Sequence, residues 1–452
     1  MIWVPNPIKP EVSLMNTITR VAERMQAVLF DAANRLAVEL GFVKRIRKIT
    51  GSLFAQAMVI AGLSSPQTSY TDLVQSAAAV GVAISAQGME QRFTEKAARF
   101  LEHLLAEAVK QVMASRPAAV PVLQRFQGVF LRDSTVISLP VALAKTWPGV
   151  GGSRGATAAL KLQVELDFRT GQLYGPALQS GRTQDQRSPF QQRPLPAGAL
   201  HLADLGYYNL RRLARDHRNG VFWITRLKAG THLYTPEGQR IDLPAWLRAH
   251  PEAEFEQTVL VGAKERIPAR LLVQRVPQEV TDQRRRRLRE YARKKQVAPK
   301  AETLALAEWT LAITNVPVAR LSLPEALVLS AVRWQIELLF KLWKSYLQVD
   351  EWRSQNPWRI LCEIYAKLIG AVMVHWLSLV GAWERVDRSL PKVAQAVRKF
   401  AVALALALPH PDELFRTLTR LQECIRATCK MNHRKKHPNT YQRLLELGGT
   451  LT

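Results

Sequence analysis

The chain has 452 residues, with 63 Lys+Arg against 37 Asp+Glu and a formal net charge of +26. Apolar residues make up 47% and charged residues 22%, which excludes a disordered basic tail protein and leaves enough apolar material for several cores. At roughly 100–200 residues per domain, this length suggests two to four domains. A surplus of positive charge this large calls for a polyanionic partner, either nucleic acid or an anionic membrane surface. The longest apolar stretch, Leu361 to Trp383, is interrupted by Glu363, Lys367 and His375. That is too polar for the roughly 20 apolar residues that hydrocarbon demands, so no membrane partner is expected. The opening "MIWVPNPIKPEVS" lacks a charged segment followed by an apolar one, so it does not read as a signal peptide. Three cysteines fit a reducing compartment without a disulfide framework. The expected setting is cytoplasmic and in contact with nucleic acid.

Residues 1–118 form the first expected domain, a helical one. Apolar positions recur at helical spacing through "TRVAERMQAVLFDAANRLAVELGF" and "TEKAARFLEHLLAEAVKQVM". Between them, a helix, a break at Gly81 and Ser85 as N-cap of a second helix read either as a DNA-binding helix–turn–helix or as an ordinary helical hairpin. The period changes near residue 120. "VFLRDSTVISLP" and "ALKLQVELDFRTGQLYGPALQ" give three strands, two joined as a hairpin across "RTGQ". A Gln/Arg/Pro-rich connector (residues 181–197), a short apolar run "ALHLADLGYYN", a helix "LRRLARDH" and a strand "GVFWITRLK" complete a segment 119–227. Residues 228–304 read as an insertion, mostly β with one charged helix, ending in the basic block "QRRRRLREYARKKQ". Strand character returns at "EWTLAITNVP" and helices follow from Leu323, giving a segment 305–385 and a helical, basic C-terminal region 386–452. The pattern is an α/β core, with a mixed sheet, split by an insertion.

Asp133 follows the apolar "VFLR", and Asp204 ends "ALHLA". Strand ends are where an open sheet presents functional groups, although either residue alone reads better as a turn or N-cap aspartate. A third element is more specific. In "SAVRWQIELLFKLWKSYLQ", with Arg333 at the origin of a helical wheel, Glu337 falls at about 40° and Lys344 at about 20°. Val332, Ile336, Leu339, Phe340 and Trp343 fall between about 240° and 340° on the same wheel and form the core-facing side. The charged stripe therefore borders the buried face, where charge costs free energy unless it is paired. An ordinary i, i+4 ion pair accounts for Arg333 and Glu337, but not for a row of charges along that boundary.

This segment resembles the Y-(2)-R-(3)-E-(6)-K signature of DDE transposases of bacterial insertion sequences, with Arg333, Glu337 and Lys344 in register and Ser330 at the tyrosine position. "LRDSTVISLP" and "LADLGYYN" resemble the segments around that family's first and second catalytic Asp, and "FWITRLK" and "WTLAITNVP" the strands flanking its β-rich insertion. The resemblance implies a ribonuclease-H-like fold in which Asp133, Asp204 and Glu337 converge on two Mg²⁺ (or Mn²⁺) ions. It also implies double-stranded DNA, as element ends and as target, for partner, a homodimer on that DNA, and residence on the bacterial nucleoid. The chemistry is coherent: hard oxygen ligands suit Mg²⁺, and two ions can serve the attacking and leaving oxygens of an in-line displacement. Water would nick the DNA, and a freed 3′-hydroxyl would then attack the target, with no covalent protein–DNA intermediate. Arg333 and Lys344 would meet the non-bridging oxygens near the scissile phosphate.

Arg226, after "VFWIT", reads as a further phosphate contact or equally as a plain surface arginine, and further phosphate contacts are expected from the block that opens with Arg284, Arg285, Arg286 and Arg287. Trp246 and Trp309 suit core packing better than stacking on a displaced base. Cys424, Cys429, His433 and His437 read C-(4)-C-(3)-H-(3)-H, residue types that suit zinc. Cysteines five apart on a helix lie about 140° apart, however, and the surrounding "HRKKHP" repels cations, so a basic tail that binds DNA or a partner is the preferred reading. The expected function is cut-and-paste transposition. Its rivals are a ribonuclease-H-like nuclease or resolvase that does not join DNA, and a DNA-binding remnant without catalysis, a reading that Ser330 keeps open.

Overall fold

A computed structural model describes residues 14–45, 49–65, 67–151, 157–385, 387–432, 434 and 438–447. The opening peptide, His433, His437 and part of the basic stretch near them lie outside the described residues. By chain contacts the protein divides into two compact units. The first comprises Met1–Ala119, Ser134–Thr183 and Glu337–Arg434, the second Val120–Asp133, Gln184–Ile336 and Lys435–Thr452.

The first unit is built on the helix Pro357–Gly381, packed by the helices Gly51–Ser64, Glu95–Lys110, Leu390–Ala407 and Pro411–Thr428. By length and composition this helix alone, among the described residues, would pass as a membrane span, yet it is wholly buried inside the protein. Its charged residues and its histidine each find a partner there, although Glu363 Oε2 has none among the described residues. Arg359 Nε donates to Glu363 Oε1 at 2.7 Å, Lys367 Nζ donates to the carbonyls of Gln348 and Glu351 at 3.1 and 2.6 Å, and His375 Nε2 lies 2.6 Å from the carbonyl of Gly171. Buried polar groups persist only with such partners, so residues that interrupt an apolar run are here core anchors. At the N-terminal side, Ser85 does cap a second helix, accepting from Gly88 N, but that helix is only Ala86–Glu90. At 1.5 Å per residue it is too short to lie along a groove, which favours the plain helical hairpin.

The sheet runs through nine strands: β1 (Val129–Leu139), β2 (Ala158–Asp167), β3 (Gln172–Ser180), β4 (Leu200–Ala203), β5 (Phe222–Arg226), β6 (Leu233–Tyr234), β7 (Glu254–Val261), β8 (Ile267–Arg275) and β9 (Trp309–Thr314). Their order is β3-β2-β1-β4-β5-β9-β8-β7-β6. In the first unit β2 and β3 form the expected antiparallel hairpin, and Gly171, at φ 71, makes the turn by donating to the carbonyl of Asp167. In the second unit β1, β4 and β5 are parallel, and β5, β9, β8, β7 and β6 are joined antiparallel. β5 leads out into residues 228–304 and β9 returns from them beside it, Ile224 opposite Thr314.

Residues 228–304 carry more helix than expected. Beside β6, β7 and β8 and the charged helix Gln278–Lys294 lie two short helices, Leu243–Arg248 and Ala301–Ala305. The first forms because the Asp242 side chain accepts from Ala245 N and Pro244 sits in the opening turn. Trp246 and Trp309 both pack here with Phe255, ring centroids 5.3 and 6.3 Å away, consistent with core roles.

Candidate active site

β1 does not end at Asp133, as its position after an apolar run suggests; it continues to Leu139. What ends there is the parallel ladder. Register pairs run from Val129 with Leu200 to Arg132 with Ala203, and β4 then stops. Asp133 and Asp204 are the next residues on the two strands, so they stand side by side where the ladder opens. Side chains alternate faces along a strand, which puts Asp133 and Asp204 on the face opposite Arg132 and His201. Ala203 is in turn level with Thr225, so Arg226 follows at the same level and on the carboxylate face. Adjacent strands are about 4.8 Å apart; Asp133, Asp204 and Arg226 therefore form a short row across three strands.

Arg333 reaches both carboxylates of that row. Its Nε lies 3.5 Å from Asp204 Oδ1 and its Nη1 4.0 Å from Asp133 Oδ2. The three side chains are 18%, 32% and 18% exposed for Arg333, Asp204 and Asp133, partly desolvated and open to solvent on one side. Arg333 also marks a break in the helix expected to run through it: Leu323–Val332 precedes it and Trp334–Ser345 follows. Ile336 N bonds to the carbonyl of Arg333, three residues back, at 3.3 Å. Ser330 Oγ donates to the carbonyl of Leu327, a local bond of the kind that bends helices. The apolar side of the wheel holds despite the break, since Val332, Ile336, Leu339, Phe340 and Trp343 are all buried.

Glu337, half-buried in the first turn of Trp334–Ser345, begins the portion of the first unit that follows the break. In that same unit Lys344 Nζ donates to the carbonyl of Val136 at 3.0 Å and lies 4.0 Å from Asp350 Oδ2. Among the described residues, no group of three or more His, Cys, Asp or Glu side chains is assembled to hold a metal ion. Asp133 and Asp204 are both in reach of one guanidinium, that of Arg333.

The basic block separates into two faces. Arg284 donates to the carbonyl of Trp309 at 2.9 Å and to Thr310 Oγ1 at 3.0 Å, and Arg285 pairs with Glu308 at 2.6 Å while donating to the carbonyl of Leu304. Burial lowers the pKa of Arg284, and the nearby Arg226 lowers it further. Arg286 and Arg287 are exposed, as are Arg289, Arg293 and Lys294.

Behind the carboxylates, on the other face of β1 and β4, lies a buried charged cluster that the sequence reading missed. Arg132 is 0% exposed and donates to the carbonyl of Arg193. His201, on β4, lies 3.8 Å from Asp216, and Arg212 Nε donates to Asp216 at 3.1 Å. Burial, and after it repulsion from Arg132, takes the His201 pKa down to about 4, so the ring is neutral near pH 7. The same two causes lower Arg212 to about 10. Burial works against the charge of Asp216, but His201 and Arg212 more than offset it and hold the carboxyl below the usual range. The only signals in the sequence are an arginine directly before Asp133 and an Arg–Asp pair four apart in "RRLARD", both ordinary by themselves.

Residues 124–373 match the family model described as a transposase DDE domain; that span contains Asp133, Asp204, Arg226, Arg333, Glu337 and Lys344. Over 441 residues the chain is 26% identical to the transposase for insertion sequence element IS231F of Bacillus thuringiensis subsp. israelensis, covering 92% of each. It is 30% identical over 355 residues to the IS231C transposase of Bacillus thuringiensis subsp. berliner, covering 74% of each. With the IS1151 transposase of Clostridium perfringens it shares 25% identity over 364 residues, 75% of this chain and 76% of that one. The matched model spans more than half of the chain and includes the carboxylate row with its arginine, and on that ground the chain belongs to the DDE transposase family.

Proposed function

We propose that this chain is an insertion-sequence transposase that binds the ends of its element, cuts the DNA and joins the ends to target DNA. The observation that carries the reading is the pair Asp133 and Asp204 converging on Arg333 where the β1/β4 ladder opens, in a chain of this family. Residues 119–227 and 305–385 form its ribonuclease-H-like catalytic core, 228–304 the insertion within it, 1–118 and 386–452 the flanking helical regions.

The donor chemistry fits divalent metal. Two carboxylates that share one guanidinium can share a metal cation, and Mg²⁺ or Mn²⁺ takes such oxygens together with substrate phosphate. Asp133, Asp204 and Glu337 hold the metal in this reading. When bound, two divalent ions supply Lewis-acid charge to the attacking and leaving oxygens of an in-line displacement. The rest falls to the chain's own cations. Arg333 turns from the carboxylates to a non-bridging oxygen of the scissile phosphate, Arg226 meets the adjoining phosphate from the same sheet face, and Lys344 adds charge from its own helix. A homodimer is proposed because two ends must be brought together.

Incubating the protein with Mg²⁺ and DNA carrying its element's terminal repeats is expected to give metal-dependent nicks at the ends, and precut ends are expected to join to target DNA. Cutting without joining would favour a nuclease or resolvase, and binding without either would favour a catalytically dead remnant. The two faces of the basic helix are expected to respond differently. Arg286→Ala with Arg287→Ala weakens binding to any duplex and lowers the slope of log K against log[salt] by up to about 1.8. Arg284→Ala leaves three acceptors, the carbonyls of Ala307 and Trp309 and the Thr310 hydroxyl, short of a donor and costs about 1–2 kcal/mol of stability, read by urea denaturation.

A further inference from the structure

Two loops of the second unit, 228–232 after β5 and 262–266 between β7 and β8, enclose an open cavity of about 370 Å³ lined by Lys228, Thr231, His232, Lys264, Glu265 and the start of the helix Leu210–Arg218. The cavity is built from fixed parts. Gly262 N donates to the carbonyl of His232 at 2.9 Å, tying one loop to the other, and Thr231 N closes a turn onto the carbonyl of Lys228 at 3.1 Å. Gly230 and Gly262, at φ 79 and 92, hold backbone conformations that side-chain-bearing residues resist. The guanidinium of Arg266 lies over the Tyr234 ring at 3.3 Å, bracing the second loop. Lys228 and Lys264, by contrast, are exposed, and among the described residues Glu265 is the one acidic side chain on the cavity wall. The N-terminal end of a helix adds partial positive charge on the remaining side.

The cavity is also coupled to the carboxylate row. Tyr208 OH lies 3.1 Å from Thr231 Oγ1, joining loop 228–232 to the segment that begins at Asp204. Asp204 and Leu210 are six residues apart in the chain, so at full extension they lie within about 20 Å. A DNA strand advances about 3.4 Å per nucleotide. A strand with its scissile phosphate at Asp204 that runs toward Leu210 would reach the edge of the cavity at most about six nucleotides from the cut.

We infer that this cavity is a second anchor for the DNA strand being cut, in which Lys228 and Lys264 grip backbone phosphates within about six nucleotides of the scissile one. The inference rests on the transposase reading and assigns it a site separate from the basic helix. Phosphate contacts fix register and carry no base information; the anchor sets where along the strand the carboxylates act, while base contacts elsewhere choose the sequence.

The test compares wild-type protein with Lys228→Ala/Lys264→Ala and with Lys228→Arg/Lys264→Arg. Binding to an arbitrary duplex is followed by fluorescence anisotropy between about 50 and 200 mM KCl, and phosphate-ethylation interference is read on a cleavable end. The alanine pair is expected to lower the salt slope by about 1.8, to flatten the affinity loss over that range roughly twelvefold, and to lose interference signals confined to about six nucleotides beside the cut. The arginine pair is expected to retain both. An unchanged slope with unchanged interference would overturn the anchor while metal-dependent cleavage persists. Absence of cleavage in the wild type would instead strike the transposase reading itself.

Discussion

Asp133→Ala, Asp204→Ala and Glu337→Ala are each expected to slow DNA cleavage by on the order of 10³-fold or more, about 4 kcal/mol of barrier, with DNA binding retained. On the proposed reading the loss is large because each carboxylate holds metal for the displacement, whereas grip on DNA would come from many arginines and lysines spread over the chain. Gel assays of nicked and joined products measure the first quantity and anisotropy the second. Full activity in any one variant would remove that residue from the site. Arg333→Ala should behave differently. It is expected to lose on the order of 10²-fold in cleavage and yet to bind Mg²⁺ more tightly in the absence of DNA, because Asp133 and Asp204 no longer share a resident cation. Titration calorimetry with MgCl₂ reads that gain, and an unchanged or weaker affinity would show that the guanidinium does not compete for the carboxylates.

Asp216→Ala is expected to be the most damaging substitution away from the reacting groups. Asp216 sits 3.1 Å from Arg212 and 3.8 Å from His201, and burial, with repulsion from Arg132 after it, already depresses the pKa values of His201 and Arg212. Removing this carboxylate takes away the ion-pair partner of the buried Arg212, which typically costs about 3–5 kcal/mol. For a unit of this size that lowers Tm by roughly 10 °C. Replacing the pair together, Arg212→Met with Asp216→Met, should recover much of the loss, since well-packed apolar groups substitute for a buried pair. Thermal denaturation of the three proteins checks both statements; a loss under about 1 kcal/mol for Asp216→Ala would mean that water already neutralises the cluster. Activity should follow stability here, because Arg132 and His201 lie on the same two strands that present Asp133 and Asp204.

The order of elements was legible in the sequence wherever a local period or a local signal decided it. The β2–β3 hairpin was readable from alternation and the turn at Gly171, and the second short helix of the N-terminal region from Ser85 as its cap. The buried side of Trp334–Ser345 followed from apolar spacing alone. Interactions between distant residues were not legible. Arg284 and Arg286 stand two residues apart in one basic run, yet one is bound to strand β9 and the other is exposed; nothing in the run distinguishes them until β9 is in place. The helix break at Arg333 was likewise invisible to a wheel, which assumes continuity.

By itself the sequence determined that this is a basic α/β protein with carboxylates at two apolar strand runs and an Arg–Glu–Lys stripe, and that these match the wording of a transposase. Periodicity, capping and charge are local properties, so one chain suffices to read them. Only the tertiary structure decided that Asp133 and Asp204 stand side by side at the open end of the β1/β4 ladder with Arg333 between them, and that a buried cationic cluster lies behind. It also decided which part of the +26 surplus faces outward. Strand register and burial are set by partners far away in sequence, and the electrostatic meaning of a side chain depends on how much water those partners leave it.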